Sequence, residues 1–271
     1  MKPSEELLAG HPLPDAAEGS KDDKGHALVI GGPPTCPGGV VLAATAALRA
    51  GAGRVQVVVD PAVAGHVAVT VPEVAAFAWD QQSAPPADVV PLLAGADAVL
   101  VGPGHACLDD TVVRSVADSA TGGTLILDAG ALGCAFALGD TGRVVIAPNP
   151  SEAARLLDRD GDEERLARAL GEKLSGPVAV RGACTVIADG DECYRFDASP
   201  PGLGTPGSGD VFMGVLAALI AGGCPAAAAL GWAVHLHASA GHRLAEHTPA
   251  GYLASDLVRE LPFARAALRS T

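Results

Sequence analysis

Aromatic side chains make up only 3% of this sequence, so they cannot build its core. Hydrophobic residues still reach 49%. Ala, Val and Leu must therefore fill the interior, as in a parallel sheet covered by Ala-rich helices. Clusters of Lys and Arg are also missing, and the formal net charge is -13. That excludes a general polyanion binder, so neither nucleic acid nor an anionic membrane is an expected partner. A small phosphate ligand stays open, because backbone N–H groups at a helix start bind it without net positive charge. The six cysteines, Cys36, Cys107, Cys134, Cys184, Cys193 and Cys224, contain no C-x-x-C pair. They read as reduced, mostly buried thiols rather than a disulfide framework. Residues 1–25 lack the apolar run of a secretory signal, and the expected location is cytoplasmic. The longest uncharged stretch, 211–234, is split by Gly222-Gly223-Cys224-Pro225. It reads as two buried helices rather than a membrane span.

What is present is alternation. Apolar β-type runs at 26–30, 54–59, 97–101, 124–127 and 143–146 alternate with helix-type segments, among them 39–50, 150–157 and 163–174. This pattern predicts βαβ units and a mostly parallel sheet. Three close runs follow, at 177–180, 184–188 and 192–196, with Asp189-Gly190 as one turn. They predict antiparallel pairing at a sheet edge. Helices are predicted at 211–221, 225–246 and 254–268. No internal repeat or long linker divides the chain. One domain over 1–271 is expected, with a polar N-terminal segment at 1–24.

The Gly-rich loop 202–210 ends in Gly207-Ser208-Gly209-Asp210 and feeds an apolar helix. Glycine permits close backbone approach. A helix start aims unpaired N–H groups and a positive dipole end outward, which suits a phosphoryl group in transfer. Asp210 falls in the first turn, where the dipole favours its ionised form. There it would orient a hydroxyl and accept its proton, which is enough for a loose transition state. The same pattern also fits a plain N-cap. It is neither a Walker A loop nor a G-x-G-x-x-G turn after a strand.

Other loops follow predicted strands, where open α/β sheets bind ligands. They are the loop 31–39, Gly102-Pro103-Gly104, Asp128, and Asn149-Pro150-Ser151-Glu152. Asp128 would point into the crevice or cap the next helix. Glu152 would hold Mg²⁺ through water or stabilise the helix start. His235 and His237 do not share a helix face, and His242 and His247 are five apart. That spacing predicts no protein-only metal site.

Together these segments resemble the NAD(P)H-hydrate dehydratase family of the ribokinase-like superfamily, from Lys24-Gly25-His26 to about Ala245. The matching pieces include Gly31-Gly32, Pro72-Glu73, Gly102-Pro103-Gly104, Leu127-Asp128-Ala129, Arg181-Gly182 and Gly207-Ser208-Gly209-Asp210. The resemblance implies a three-layer α/β/α sandwich with a mostly parallel central sheet. It also implies ADP- or ATP-dependent repair of hydrated NADH and NADPH, with Mg²⁺ on the nucleotide phosphates and a homotetrameric assembly. By the same resemblance, Asp210 contacts the reacting hydroxyl, and Gly207, Ser208 and Gly209 lie at the phosphates. Arg181, Gly182, Ala183, Cys184 and Thr185 hold the adenine nucleotide. Gly39, Gly104, Asn149 and Asp210 contact the hydrated dinucleotide. Several positions depart from the family pattern. Asn149 stands for the usual His, Ser151 for Gly, Arg181 for Lys, Gly39 for Ala, and Gly130 for an acidic residue. Most lie on the substrate side. They leave room for a relative that phosphorylates or dehydrates another small alcohol, and for a nucleotide-binding homologue without catalysis.

Overall fold

The computed structural model describes residues 1–15, 19–139, 142–197, 200 and 202–268. Its centre is a ten-stranded sheet. In chain order the strands are β1 (Lys2–Pro3), β2 (His26–Ile30), β3 (Arg54–Val59), β4 (Ala75–Ala78), β5 (Ala98–Val101), β6 (Thr124–Leu127), β7 (Val144–Ile146), β8 (Val178–Arg181), β9 (Thr185–Asp189) and β10 (Glu192–Phe196). In space they run β1-β10-β9-β8-β7-β6-β5-β2-β3-β4. The strands from β4 through β8 pair in parallel. The pairs β8–β9 and β9–β10 are antiparallel, as their short turns predict. Gly190 takes a positive φ of 56° at the second turn, where a tight hairpin favours glycine.

Strand periodicity divides the core into two layers. In β2, Ala27 and Val29 face one apolar cluster, while Leu28 and Ile30 face the other. The first cluster is closed by α2 (Gly38–Ala50), α3 (Ala64–Thr70), α8 (Ser208–Ala221), α9 (Ala226–Ala245) and α10 (Ala254–Leu268). The second is closed by α4 (Val90–Gly95), α5 (Asp110–Ser119), a 3₁₀ helix (Ala129–Leu138), α6 (Pro150–Leu157) and α7 (Glu163–Leu174). The polar N-terminal segment contributes β1 and a short helix, α1 (Ser4–Leu8), whose Leu7 joins the first cluster. Neither element was legible in the sequence, because each is too short to show a period. Among the described residues, no helix is long and apolar enough to cross a membrane. All six cysteines are free thiols; Cys36 and Cys107 are exposed, and the other four are buried.

Helix α8 starts three residues before the predicted 211. Gly207 is its N-cap in the left-handed region, at φ 85°. That conformation, open to glycine at little cost, admits Ser208, Gly209 and Asp210 into the first turn. The reading of Asp210 as a plain N-cap is therefore wrong. Helix α8 lies tightly against α2. A Cβ on Gly214 would lie 2.1 Å from the carbonyl oxygen of Ala43, a backbone atom that moves only with the whole helix. Gly214→Val is expected to lower stability by about 3 kcal/mol through overpacking, read as a fall in the urea midpoint. A midpoint equal to that of the parent chain would show that the two helices part freely.

Candidate active site

The loops after β2, β5, β6, β7 and β8 meet the start of α8 at the carboxyl edge of the sheet. Three of the sequence-predicted residues touch there. A Cβ on Gly39 would lie 2.9 Å from Asp210 Oδ1 and 2.8 Å from the Gly104 nitrogen. Gly39 thus allows this close approach of α2, the Gly104 loop and Asp210, and a side chain there would need the Gly104 backbone to shift. The N–H groups of Gly104 and Gly209 make no backbone or side-chain hydrogen bond among the described residues. That of Gly209 is left over at a helix start, where the dipole is positive, while that of Asp210 turns to its own carboxyl.

Arg181 closes the other side. It ends β8, and its Nε donates to the carbonyl of Ala147 at 2.6 Å. Its guanidinium lies 4.6 Å from the centre of the Phe212 ring. A Cβ on Gly209 would be 3.5 Å from one of its terminal nitrogens. A cavity of about 270 Å³ opens beside it, lined by Arg181, Gly182, Thr185, Ser208, Phe212 and His237 among others. Ala183 and Cys184 do not line it. The Ala183 N–H is held by Glu163 Oε1 at 3.2 Å, and Cys184 packs into the second apolar cluster.

His237 is buried behind the start of α8. Its Nε2 lies 3.1 Å from both the carbonyl oxygen and the hydroxyl of Ser208. A carbonyl only accepts, so Nε2 carries the proton and donates. The Ser208 hydroxyl hydrogen is thereby left for another acceptor. Burial, and then the positive charge of Arg181, push the His237 imidazole down to about 3. This histidine stays neutral at ordinary pH.

Charge in the site is concentrated on Asp128, Arg181 and Asp210. Asp128 is 6% exposed and stands at the N-cap of the 3₁₀ helix, where the Ala129 N–H helps hold its carboxyl down. Burial raises its pKa, and Arg181 opposes the rise. The Asp210 carboxyl is pushed up to about 6, first by burial and then by the charge of Asp128, against the pull of Arg181. The helix start alone predicted a plainly ionised carboxylate. Desolvation outweighs the dipole here, and ionisation is completed only above about 6. Burial lowers the Arg181 pKa while Asp128, Glu152 and Asp210 raise it.

Asn149 and Glu152 form a reciprocal capping box on α6. The Asn149 side chain accepts from the Glu152 N–H at 2.9 Å, and Glu152 Oε2 accepts from the Asn149 N–H at 2.8 Å. The capping role weighed for Glu152 is thus present. Asn149 is exposed, and its amide nitrogen makes no hydrogen bond among the described residues.

A model of the NAD(P)H-hydrate dehydratase family matches residues 27–263. An ADP-dependent (S)-NAD(P)H-hydrate dehydratase of Xanthomonas campestris is 34% identical, covering 94% of this chain and 92% of that one. A bifunctional NAD(P)H-hydrate repair enzyme of Moorella thermoacetica is 33% identical over 91% of this chain, which spans only 50% of that protein. Among solved structures, the ADP/ATP-dependent NAD(P)H-hydrate dehydratase of Bacillus subtilis, co-crystallised with ATP and Mg²⁺, superimposes with a TM-score of 0.80. That match has 24% identity and covers 98% of this chain and 97% of the other. Arabidopsis thaliana ribokinase superimposes with a TM-score of 0.62 at 13% identity, over 88% of this chain and 98% of that one. The three-layer sandwich is therefore ribokinase-like. With a family match from β2 to α10 and a relative one-third identical across nearly the whole length, this chain belongs to the NAD(P)H-hydrate dehydratase family.

Proposed function

We propose that this chain is a nucleotide-dependent dehydratase that restores hydrated NADH and NADPH, a carbon–oxygen lyase. One observation carries the reading: Asp210 and the unbonded Gly209 N–H stand at the start of α8, with Arg181 on one side and the Gly39–Gly104 contact on the other. The adenine nucleotide is assigned to the cavity lined by Arg181, Gly182 and Thr185; its terminal P–O bond breaks as the phosphoryl group moves to the substrate, releasing AMP from ADP or ADP from ATP. ADP is favoured over ATP by the name of the Xanthomonas relative.

Asp210 accepts a hydrogen bond from the ring hydroxyl of the substrate and takes its proton as the oxygen is phosphorylated. A weak base suffices, because the transition state is loose. The Gly209 N–H, the Ser208 hydroxyl and Arg181 meet the charge on the moving phosphoryl group. Phosphorylation turns the hydroxyl into a leaving group. The carbon–oxygen bond then breaks with help from the ring nitrogen lone pair, and inorganic phosphate leaves. The neighbouring ring carbon gives up its proton to water, and the double bond returns. Gly104 and the free amide of Asn149 orient the nicotinamide side. Glu152 would assist Mg²⁺ through water, and Mg²⁺ would neutralise the nucleotide phosphates. A homotetramer is the assembly carried over from the family resemblance, and a cytoplasmic location follows from the sequence reading.

The expected outcome is recovery of dihydronicotinamide absorbance when hydrated NADH is supplied with ADP or ATP and Mg²⁺. Recovery that does not depend on the nucleotide would reject the mechanism. The departures at Gly39, Gly130 and Asn149 favour a second reading, turnover of another small alcohol. Nucleotide consumption with such an alcohol and none with hydrated NADH would establish it.

A further inference from the structure

Among the described residues, His26 and His237 are the buried histidines. His26 opens β2 at the amino edge of the sheet, away from the site, and its Nδ1 meets the Gly95 carbonyl at 3.2 Å. His237 lies on α9 and lines the same cavity as Arg181, Ser208 and Phe212. No step of the reaction needs its proton. Resting on the dehydratase reading, we propose that His237 is a positioning residue for phosphoryl transfer: it commits the hydroxyl hydrogen of Ser208 to the moving phosphoryl group.

The Ser208 carbonyl selects the tautomer. It lies 3.1 Å from Nε2 and can only accept, so the ring proton sits on Nε2. The Ser208 hydroxyl oxygen lies at 3.1 Å as well and shares that proton. An oxygen that accepts from an N–H cannot donate back to it. With a bare Nε2, the hydroxyl would give its hydrogen to the ring and turn lone pairs toward the phosphates. Phosphoryl oxygens accept hydrogen bonds, so that arrangement would repel where the present one attracts. Among the described residues the hydroxyl has no other hydrogen-bond partner.

The pair is held rigidly. Gly207, at φ 85°, brings Ser208 into the first turn of α8, and the Ser208 N–H bonds to the Thr205 carbonyl at 3.1 Å. The His237 ring stands edge-on to Phe212, with centroids 5.8 Å apart and planes at 87°. Phe212 in turn carries Arg181 over its ring. Ser208 is 6% exposed and His237 7%, so water does not compete for the shared proton. Burial and Arg181 keep the imidazole neutral. His237 therefore acts by hydrogen bonding and adds no second positive charge beside Arg181.

The test is a mutant cycle on single-turnover recovery of dihydronicotinamide absorbance, with hydrated NADH, saturating ADP and Mg²⁺. Ser208→Ala is expected to slow recovery about a hundredfold, the usual worth of a donor aimed at developing charge. His237→Phe keeps an aromatic ring beside Phe212 and has no N–H. It should slow the parent chain about tenfold and the Ser208→Ala variant not at all, because residues acting through one group are not additive. His237→Gln returns an N–H near the position of Nε2 and should recover most of the loss. His237→Asn, one methylene shorter, should not. Urea midpoints establish folding, and if His237→Phe does not fold, the contrast between Gln and Asn decides. Equal slowing by His237→Phe with and without the Ser208 hydroxyl, or no slowing, overturns the inference. So do equal rates in the Gln and Asn variants. Those results leave the dehydratase reading standing. No recovery by the parent chain with ADP or ATP overturns that reading, and the inference falls with it.

Discussion

Asp210→Asn is expected to slow turnover of hydrated NADH by about a thousandfold, the usual worth of a positioned base, while ADP affinity barely changes. Asparagine keeps the size of the side chain and the start of α8. It cannot take the proton of the hydroxyl. It also removes a buried carboxyl that burial and Asp128 hold at about 6, so the fold does not suffer. Single-turnover rates and calorimetric titration with ADP separate the two effects. Turnover equal to that of the parent chain would strip Asp210 of its role as base.

Arg181→Met should do more than weaken the nucleotide. Truncating one partner of a buried charge set typically costs about 2–5 kcal/mol in affinity, so the KM for ADP should rise at least about thirtyfold. The pH profile carries a separate signature. In the parent chain the active, ionised form of Asp210 is lost as pH falls through about 6. Arg181 opposes the raised pKa of both Asp210 and Asp128. Its removal raises both further, so the acid limb of kcat moves to higher pH. Stability moves too. A carboxyl with a raised folded pKa binds more protons in the folded state than in the unfolded one. The variant therefore loses stability as pH rises from the ordinary carboxylate range through the raised value. A KM increase with an unmoved acid limb would show that Arg181 holds nucleotide without tuning Asp210.

Much of this was legible because it is local. Residues 150–157 and 163–174 are helices at the predicted bounds, since capping side chains and apolar period sit within one segment. The hairpins after β8 follow from run spacing and Asp189-Gly190. The weak points were short or amphipathic elements such as β4 and α4, which have too few residues to display a period. The start of α8 was placed late because glycine and serine propensities argue against helix, while Gly207 in its left-handed conformation supplies the entry.

The order of loops, the Gly-rich turn before Asp210 and the scarcity of aromatics were enough to set the layered α/β fold, the family and the residue proposed as base. Those signals are written in neighbouring residues. Tertiary structure alone assembled Asp128, Arg181 and Asp210 from β6, β8 and α8, set His237 behind Ser208, and laid Arg181 over Phe212. Only that assembly fixes desolvation and the distance between charges. Whether Asp210 titrates like a surface carboxylate or near 6 is therefore decided by contacts between residues far apart in the chain.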